Sequence, residues 1–306
     1  MESTFQILKA SWELQKQTDN SNSAYNAKPF LLIKNLESSI IERFYLLEGK
    51  YIKFYVTDEK NCIGYEPDQG NWIVCPKNNK TDSGILQCET CEEDDFFSCR
   101  KTCQGFQCFP KTPRAKAICD QKETFVYLTY VGGYFKIGVS LNPIRRWIDQ
   151  GSLYGSILYK GYGLEARFYE HTIGTVLNLK LAVTIPDKIN SLGEQIPSRD
   201  NIKSEFFKHF ASIRKLKLFD LQTDPLIYSL TKYYQKIPEL EKKPLIDNNL
   251  IKGTVIGVIG RLLVVKDKNS FYVTNLKELL GKVITLEKPL NKVFAKQRTI
   301  YDYEEI

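Results

Sequence analysis

The sequence predicts a multidomain α+β protein, on three observations. Short strand-like runs dominate both ends of the chain. Residues 125–174 follow the order strand, hairpin, strand, helix, strand, helix. All eight cysteines fall between Cys62 and Cys119. With 306 residues and 42% apolar content, two or three domains with ordinary cores are expected. The boundaries read as a β-rich unit over 1–60, a cysteine-rich segment over 61–120, an α/β domain over 121–236 and a small closed β-barrel over 250–306.

At the N-terminal end, residues 5–15 fit a strand or a short helix. Asp19 to Asn26 is rich in Asn and Ser and reads as a loop. Pro29 to Lys34 and Tyr51 to Thr57 are apolar or β-branched and read as strands, with Leu47 to Lys50 as the turn before the second. Residues 61–120 carry four prolines and little periodicity. A segment of that kind buries too little apolar surface to offset its chain entropy unless a metal or cross-link ties it together.

The central stretch is the most legible. Phe125 to Val131 reads as a strand. Gly132-Gly133 suits a primed hairpin turn, where both central residues need positive φ. Tyr134 to Val139 returns as the second strand. Asn142 and Pro143 supply an N-cap and a first-turn proline, and Gly151 a C-cap, so a helix is expected between them. A strand near Ser156 to Tyr159 and a helix over Leu164 to Val176 follow.

Thr184 to Asp200 reads as loop. Ile202 to Lys215 reads as a helix with Phe206, Phe207, Phe210 and Ile213 on one side. A further helix is expected from Asp224-Pro225 to about Gln235, then a charged linker over Lys236 to Asn249. From Ile251 short strands recur, with a turn at Lys266 to Asn269. The acidic end, Tyr301 to Ile306, is expected to fray.

The central stretch resembles the GIY-YIG nuclease domain. Val126-Tyr127-Leu128 stands where that family has its first tyrosine motif, and Lys136-Ile137-Gly138 where it has Tyr-Ile-Gly. Arg146 lies eight residues after that glycine, at the place of the family's helix arginine. Glu170, in Ala166-Arg167-Phe168-Tyr169-Glu170, matches the setting of its metal-binding glutamate. The resemblance covers about 50 residues and departs at Lys136, where the family usually has a tyrosine. Over most of its length, with the cysteine segment included, the chain is similar to an uncharacterised family of GIY-YIG-like proteins.

The resemblance implies metal-assisted phosphodiester hydrolysis: magnesium on Glu170, Tyr127 helping to activate water and Arg146 holding phosphate. Each residue also has a structural role open to it. Tyr127 suits a core strand, Arg146 beside Arg145 suits a solvated pair, and Glu170 borders an apolar helix face. Lys136 is a poor base when protonated and a good phosphate contact.

The cysteines run Cys62-x12-Cys75-x12-Cys88-x2-Cys91, then Cys99-x3-Cys103-x4-Cys108-x10-Cys119. Zinc takes four thiolates tetrahedrally, and pairs two to four residues apart chelate one ion. Up to two structural zinc ions are expected on two sequential sets, Cys62, Cys75, Cys88, Cys91 and Cys99, Cys103, Cys108, Cys119; an interleaved pairing remains open. Iron–sulfur ligation, disulfides and free thiols are the alternatives.

The chain carries 43 Lys and Arg against 36 Asp and Glu, a net charge of +7 that favours anionic partners. It has no run of ~18 apolar residues, so no membrane span is expected. Without an apolar leader, a cytoplasmic location is expected. Lysines and arginines from Lys203 to Lys243 interleave with Phe206, Phe207, Tyr233 and Tyr234. That pattern suits single-stranded nucleic acid or simply an amphipathic helix.

Three functions from different classes remain. One is a nucleic-acid-binding protein, using Lys136, Arg145 and Arg146, with cleavage weak or absent. The second is a magnesium-dependent endonuclease. The third is a protein–protein adaptor with structural zinc. Lys136 favours the first.

Overall fold

The computed structural model describes residues 3–16, 25–68, 71–96, 107, 109–110, 112–221, 225–234, 240, 244–247 and 249–286. In chain order the elements are β1 (Ser3–Lys16), β2 (Tyr25–Asn35), β3 (Ile41–Tyr45), β4 (Tyr51–Lys60), β5 (Tyr65–Asp68), β6 (Asn71–Ile73), α1 (Glu89–Asp94) and α2 (Pro113–Gln121). Then come β7 (Glu123–Val131), β8 (Tyr134–Ser140), α3 (Pro143–Gln150), β9 (Ser152–Tyr162), α4 (Gly163–Val176), α5 (Ile185–Asn190), α6 (Arg199–Lys215) and β10 (Ile227–Ser229). The chain continues through β11 (Leu245–Ile246), β12 (Leu250–Ile259), β13 (Leu262–Asp267), β14 (Ser270–Asn275) and β15 (Lys282–Leu286). The α+β class holds.

The described residues fall into two compact units, one within Met1–Lys101, Tyr234–Ile237 and Pro244–Ile306, the other within Thr102–Tyr233 and Pro238–Lys243. The first is built on a nine-stranded sheet of order β11-β14-β13-β12-β4-β15-β1-β2-β3. This differs from the expected separate N-terminal unit and C-terminal barrel. Strand β4 lies between β12 and β15, and β15 pairs β1 on its other side. Either run alone would leave long open edges; interleaving them covers those edges. The pairing is not readable from alternation, which fixes a strand's faces but not its neighbours. Residues 5–15 are strand rather than helix, and β3 was not expected at all.

The second unit has a four-stranded sheet of order β10-β9-β7-β8, with β7 antiparallel to both β8 and β9. Its local signals act as their chemistry dictates. Gly132 and Gly133 both have positive φ, 54° and 80°, and turn the β7–β8 hairpin. Asn142 Oδ1 accepts from the Arg145 amide at 3.1 Å, and Gly151 closes α3 in the left-handed conformation. The core joins Val126, Leu128 and Ile137 of the sheet to Ala166 and Ile173 of α4 and Phe206, Phe210 and Ile213 of α6.

Two local readings change. The stretch expected to be loop from Thr184 contains α5, started by a reciprocal capping box between Thr184 and Asp187. The helix expected from Asp224 is replaced, among the described residues, by β10 and a single 3-10 turn over Thr231–Tyr233. Pairing of Ile227, Tyr228 and Ser229 with the open side of β9 outweighs weak helix propensity there. Of the aromatic members of the basic run, Phe206, Tyr233 and Tyr234 are buried and serve the core, while Phe207 is half-buried with Lys203 5.6 Å from its ring centre. The expected fraying of Tyr301 to Ile306 and most of the linker from Lys236 lie outside the described residues.

Candidate functional site

Cys62, Cys75, Cys88 and Cys91 bring their four sulfurs within 4.8 Å of one another. All four are free thiols rather than disulfides. Four sulfurs about 2.3 Å from one tetrahedral ion stand roughly 3.8 Å apart, so this group is close to the spacing zinc needs. Cys88 takes the N-cap position of α1 and Cys91 sits in its first turn, which is how a two-residue spacing turns two sulfurs to one point.

The surroundings hold that geometry. The Gly64 amide donates to Cys62 Sγ at 3.4 Å, and Asn79 Nδ2 donates to Cys88 Sγ at 3.3 Å. Gly64 has φ +100°, and a Cβ there would lie 2.0 Å from the Ile73 carbonyl oxygen. Only glycine fits. Buried Gln6 of β1 donates to the carbonyls of Asn61 and Cys62, each at 3.0 Å. Buried Gln87 bridges the Gly64 carbonyl, at 2.9 Å, and Asp95, at 2.6 Å. Neither glutamine stands out in the sequence, because a lone polar residue in a strand or loop carries no spacing signal.

Burial pushes the Cys62 and Cys91 thiols up. Burial acts the same way on Cys88, but the Cys91 amide, Asn79 and the neighbouring thiols outweigh it and bring Cys88 to about 7. A cation would displace the remaining protons. Beside Cys88 lies a cavity of about 480 Å³, walled by Asp82, Glu89, Glu92 and Glu93 against Lys80. Of the second expected set, Cys99, Cys103 and Cys108 lie outside the described residues. Cys119 is a half-buried free thiol on α2.

The second candidate site lies on the four-stranded sheet. Tyr127 of β7 is 1% exposed, and its ring lies across Gly138, its register partner on β8. A Cβ on Gly138 would stand 2.5 Å from both Cζ and Oη of that tyrosine. Trp147 of α3 meets the ring edge-on, centroids 5.6 Å apart. The glycine after Lys136-Ile137 is therefore the floor on which Tyr127 rests.

Around the Tyr127 hydroxyl gather the charged residues. Arg146, exposed on α3, interacts with the hydroxyl. Gln150, one turn on, places its carboxamide between the two: its oxygen accepts from Arg146 Nε at 2.6 Å and lies 3.4 Å from Tyr127 Oη. Lys136 is 8% exposed; its Nζ donates to the Ile137 carbonyl at 3.1 Å and stands 5.7 Å from the Tyr127 ring centre. Burial lowers Lys136 to about 8; Glu170 opposes this, while Arg146 and Lys188 add to it. Burial raises Tyr127, partly offset by Arg146, so it holds its proton at neutral pH.

Glu170 of α4 reaches the outer edge of β8, where the Lys180 carbonyl also accepts from the Ile137 amide at 3.0 Å. It faces Lys136, the Val139 amide, Arg167 and Arg146. Burial raises its carboxyl, and Lys136 is the largest opposing influence. The structure thus brings Tyr127, Lys136, Arg146 and Glu170 together. Arg145 sits beside Arg146 on α3, half-buried. Gln150 and Lys188 were not anticipated. Lys188 of α5 donates to the Gln150 carbonyl at 2.8 Å, from a helix the sequence reading took for loop.

Among the described residues the four cysteines are the one group of three or more His, Cys, Asp or Glu side chains placed to hold a metal. No helix among the described residues is long and apolar enough to cross a membrane. No curated protein and no solved structure matches the chain. Residues 49–284, which include both candidate sites, match the family described as Protein of unknown function (DUF2797), and the chain belongs to that family.

Proposed function

We propose that this protein binds nucleic acid through a phosphate site around Lys136 and Arg146, and that it cuts weakly or not at all. The second unit is read as a GIY-YIG-like domain whose cleavage chemistry is weakened. Its strand–strand–helix–strand–helix order and the grouping of Tyr127, Arg146 and Glu170 support that reading.

The observation that carries the proposal is the state of Lys136. Its charge is buried, and Arg146 and Lys188 repel it, with Glu170 as the opposing carboxylate. A bound phosphate would relieve that repulsion and strengthen all three cations. The same cations disfavour a divalent ion at Glu170, and a fully buried, protonated Tyr127 is badly placed to activate water.

Zinc is assigned a structural role at Cys62, Cys75, Cys88 and Cys91. A closed four-thiolate site leaves no position for substrate. The acidic wall beside Cys88 also repels phosphate, so the nucleic acid is placed away from it.

The test is fluorescence anisotropy with labelled DNA and RNA over a salt series, with gel assays for cleavage in magnesium. Binding should weaken with salt, and Arg146→Ala should reduce affinity across sequences and flatten the salt slope by about 0.7–0.9. Robust magnesium-dependent cutting that disappears in Glu170→Ala would instead make the protein an endonuclease. No binding to DNA or RNA at low salt would leave the adaptor reading.

A further inference from the structure

Strand β4 turns two different faces to its surroundings. Ile52, Phe54 and Val56 are buried, at 3%, 0% and 8% exposure. Between them, Tyr51 and Tyr55 are 56% and 41% exposed, with Lys53 on the same side.

The register extends this surface sideways. Directly opposed residues share a face. On β12, Thr254 stands opposite Tyr51, Lys252 opposite Lys53 and Leu250 opposite Tyr55. On β13, Lys266 stands opposite Thr254. Lys53 lies 5.4 Å from the Tyr55 ring centre, and Lys252 pairs with Asp267 at 3.2 Å. Opposing lysines across a ladder are destabilising, and among the described residues this face gathers three lysines, one of them paired with Asp267.

We propose that the outer face of β4, β12 and β13 is a single-strand nucleic-acid platform, with bases stacked on Tyr51 and Tyr55 and phosphates on Lys53, Lys252 and Lys266. The two rings are four residues apart along the strand, about 13 Å. Open rings interleaved with lysine suit unpaired bases, since stacked base pairs leave no face free. A protein partner or second copy is a poorer occupant, because lysine is depleted from the centre of protein interfaces. The inference deepens the nucleic-acid reading by naming its class of ligand, yet it stands on residues remote in sequence from Lys136 and Arg146.

The experiment uses the full chain with its metal, a labelled 15-mer of deoxythymidine or uridine, and a 15-base-pair duplex. Tyr51→Ala/Tyr55→Ala should weaken single-strand binding at least tenfold and duplex binding less than twofold. Tyr51→Phe/Tyr55→Phe, which keeps the rings, should bind like the unaltered protein. Lys53→Ala/Lys252→Ala should flatten the single-strand salt slope by about 1.4. Single-strand affinity unchanged in the alanine pair overturns the platform; if Arg146→Ala still weakens binding, the phosphate site stands alone. Loss in the alanine pair with none in Arg146→Ala supports the platform and removes the phosphate site. Absence of all binding overturns both.

Discussion

Gly138→Ala tests the packing beneath the candidate phosphate site. The added methyl would lie 2.5 Å from Cζ and Oη of Tyr127 and 2.8 Å from Cε2. Carbons in contact rest about 3.5–4.0 Å apart, so the ring must shift by roughly 1 Å. Little room exists for that shift. The ring is 1% exposed and Trp147 stands edge-on against it. Trp147 is itself pressed onto Gly155, where a Cβ would meet the indole at 2.7 Å. Overpacking of this kind costs about 1–3 kcal/mol. Moving the hydroxyl away from Gln150 adds about 1 kcal/mol, for a total of about 2–4 kcal/mol.

Native-state hydrogen exchange at the β7 and β8 amides reads this unit by itself. Tyr127→Leu removes the atoms that clash, so adding Gly138→Ala to that variant should cost under about 1 kcal/mol more. The coupling between the two sites is then at least about 1 kcal/mol. A cost below about 0.5 kcal/mol for Gly138→Ala alone, or strict additivity of the pair, would refute the reasoning.

The remaining predictions concern metal and pH. Elemental analysis should find close to two zinc ions per chain, and Cys91→Ser should remove one; less than one in the unaltered protein would sink the zinc assignment. Lys136 titrates at about 8 in the folded chain against 10.5 for a free lysine, so the unfolded chain binds more protons between those values. Stability should therefore rise with pH across about 8 to 10.5, by up to ~3 kcal/mol, relative to a Lys136→Met variant in urea titrations; a pH-independent difference would count against the burial of that charge. If Lys136⁺ holds phosphate, affinity should fall as pH rises through 8, and a flat profile to pH 9.5 would contradict it.

How far the sequence could be read depended on whether a signal was local. The Gly132-Gly133 turn, the Asn142 and Pro143 start and the Gly151 stop are each decided by a residue's own backbone preference, and α3 lies between the expected caps. The first cysteine set was legible because ligand chemistry restricts spacing, and its four sulfurs do meet. The merging of both ends into one sheet was not legible, since strand partners are chosen by edges far apart in sequence. Gln6 and Gln87 brace the cysteine loops through carbonyls, and nothing in a single glutamine announces that. Lys188 was hidden for a related reason: α5 is only 6 residues long, too short for periodicity to show.

Glu170 shows why a residue's type and position do not fix its role. It borders an apolar helix face, where an idle carboxylate is costly, so a task for it could be inferred from spacing alone. The structure gives it two tasks that need no metal. It stands beside the Val139 amide on the outer strand of the sheet, a donor that favours its charged form. Its charge also offsets Lys136, the least exposed cation of the group. Replacing it by alanine would strip a buried lysine of its counter-charge, so reduced function in that variant does not by itself identify a metal ligand. Glu170→Gln keeps an acceptor for the Val139 amide and removes the charge. If the site serves phosphate, Glu170→Gln should bind nucleic acid at least as tightly as the unaltered protein, because one negative charge beside the ligand is gone. A divalent-ion site would instead lose its ligand charge and its metal-dependent binding together.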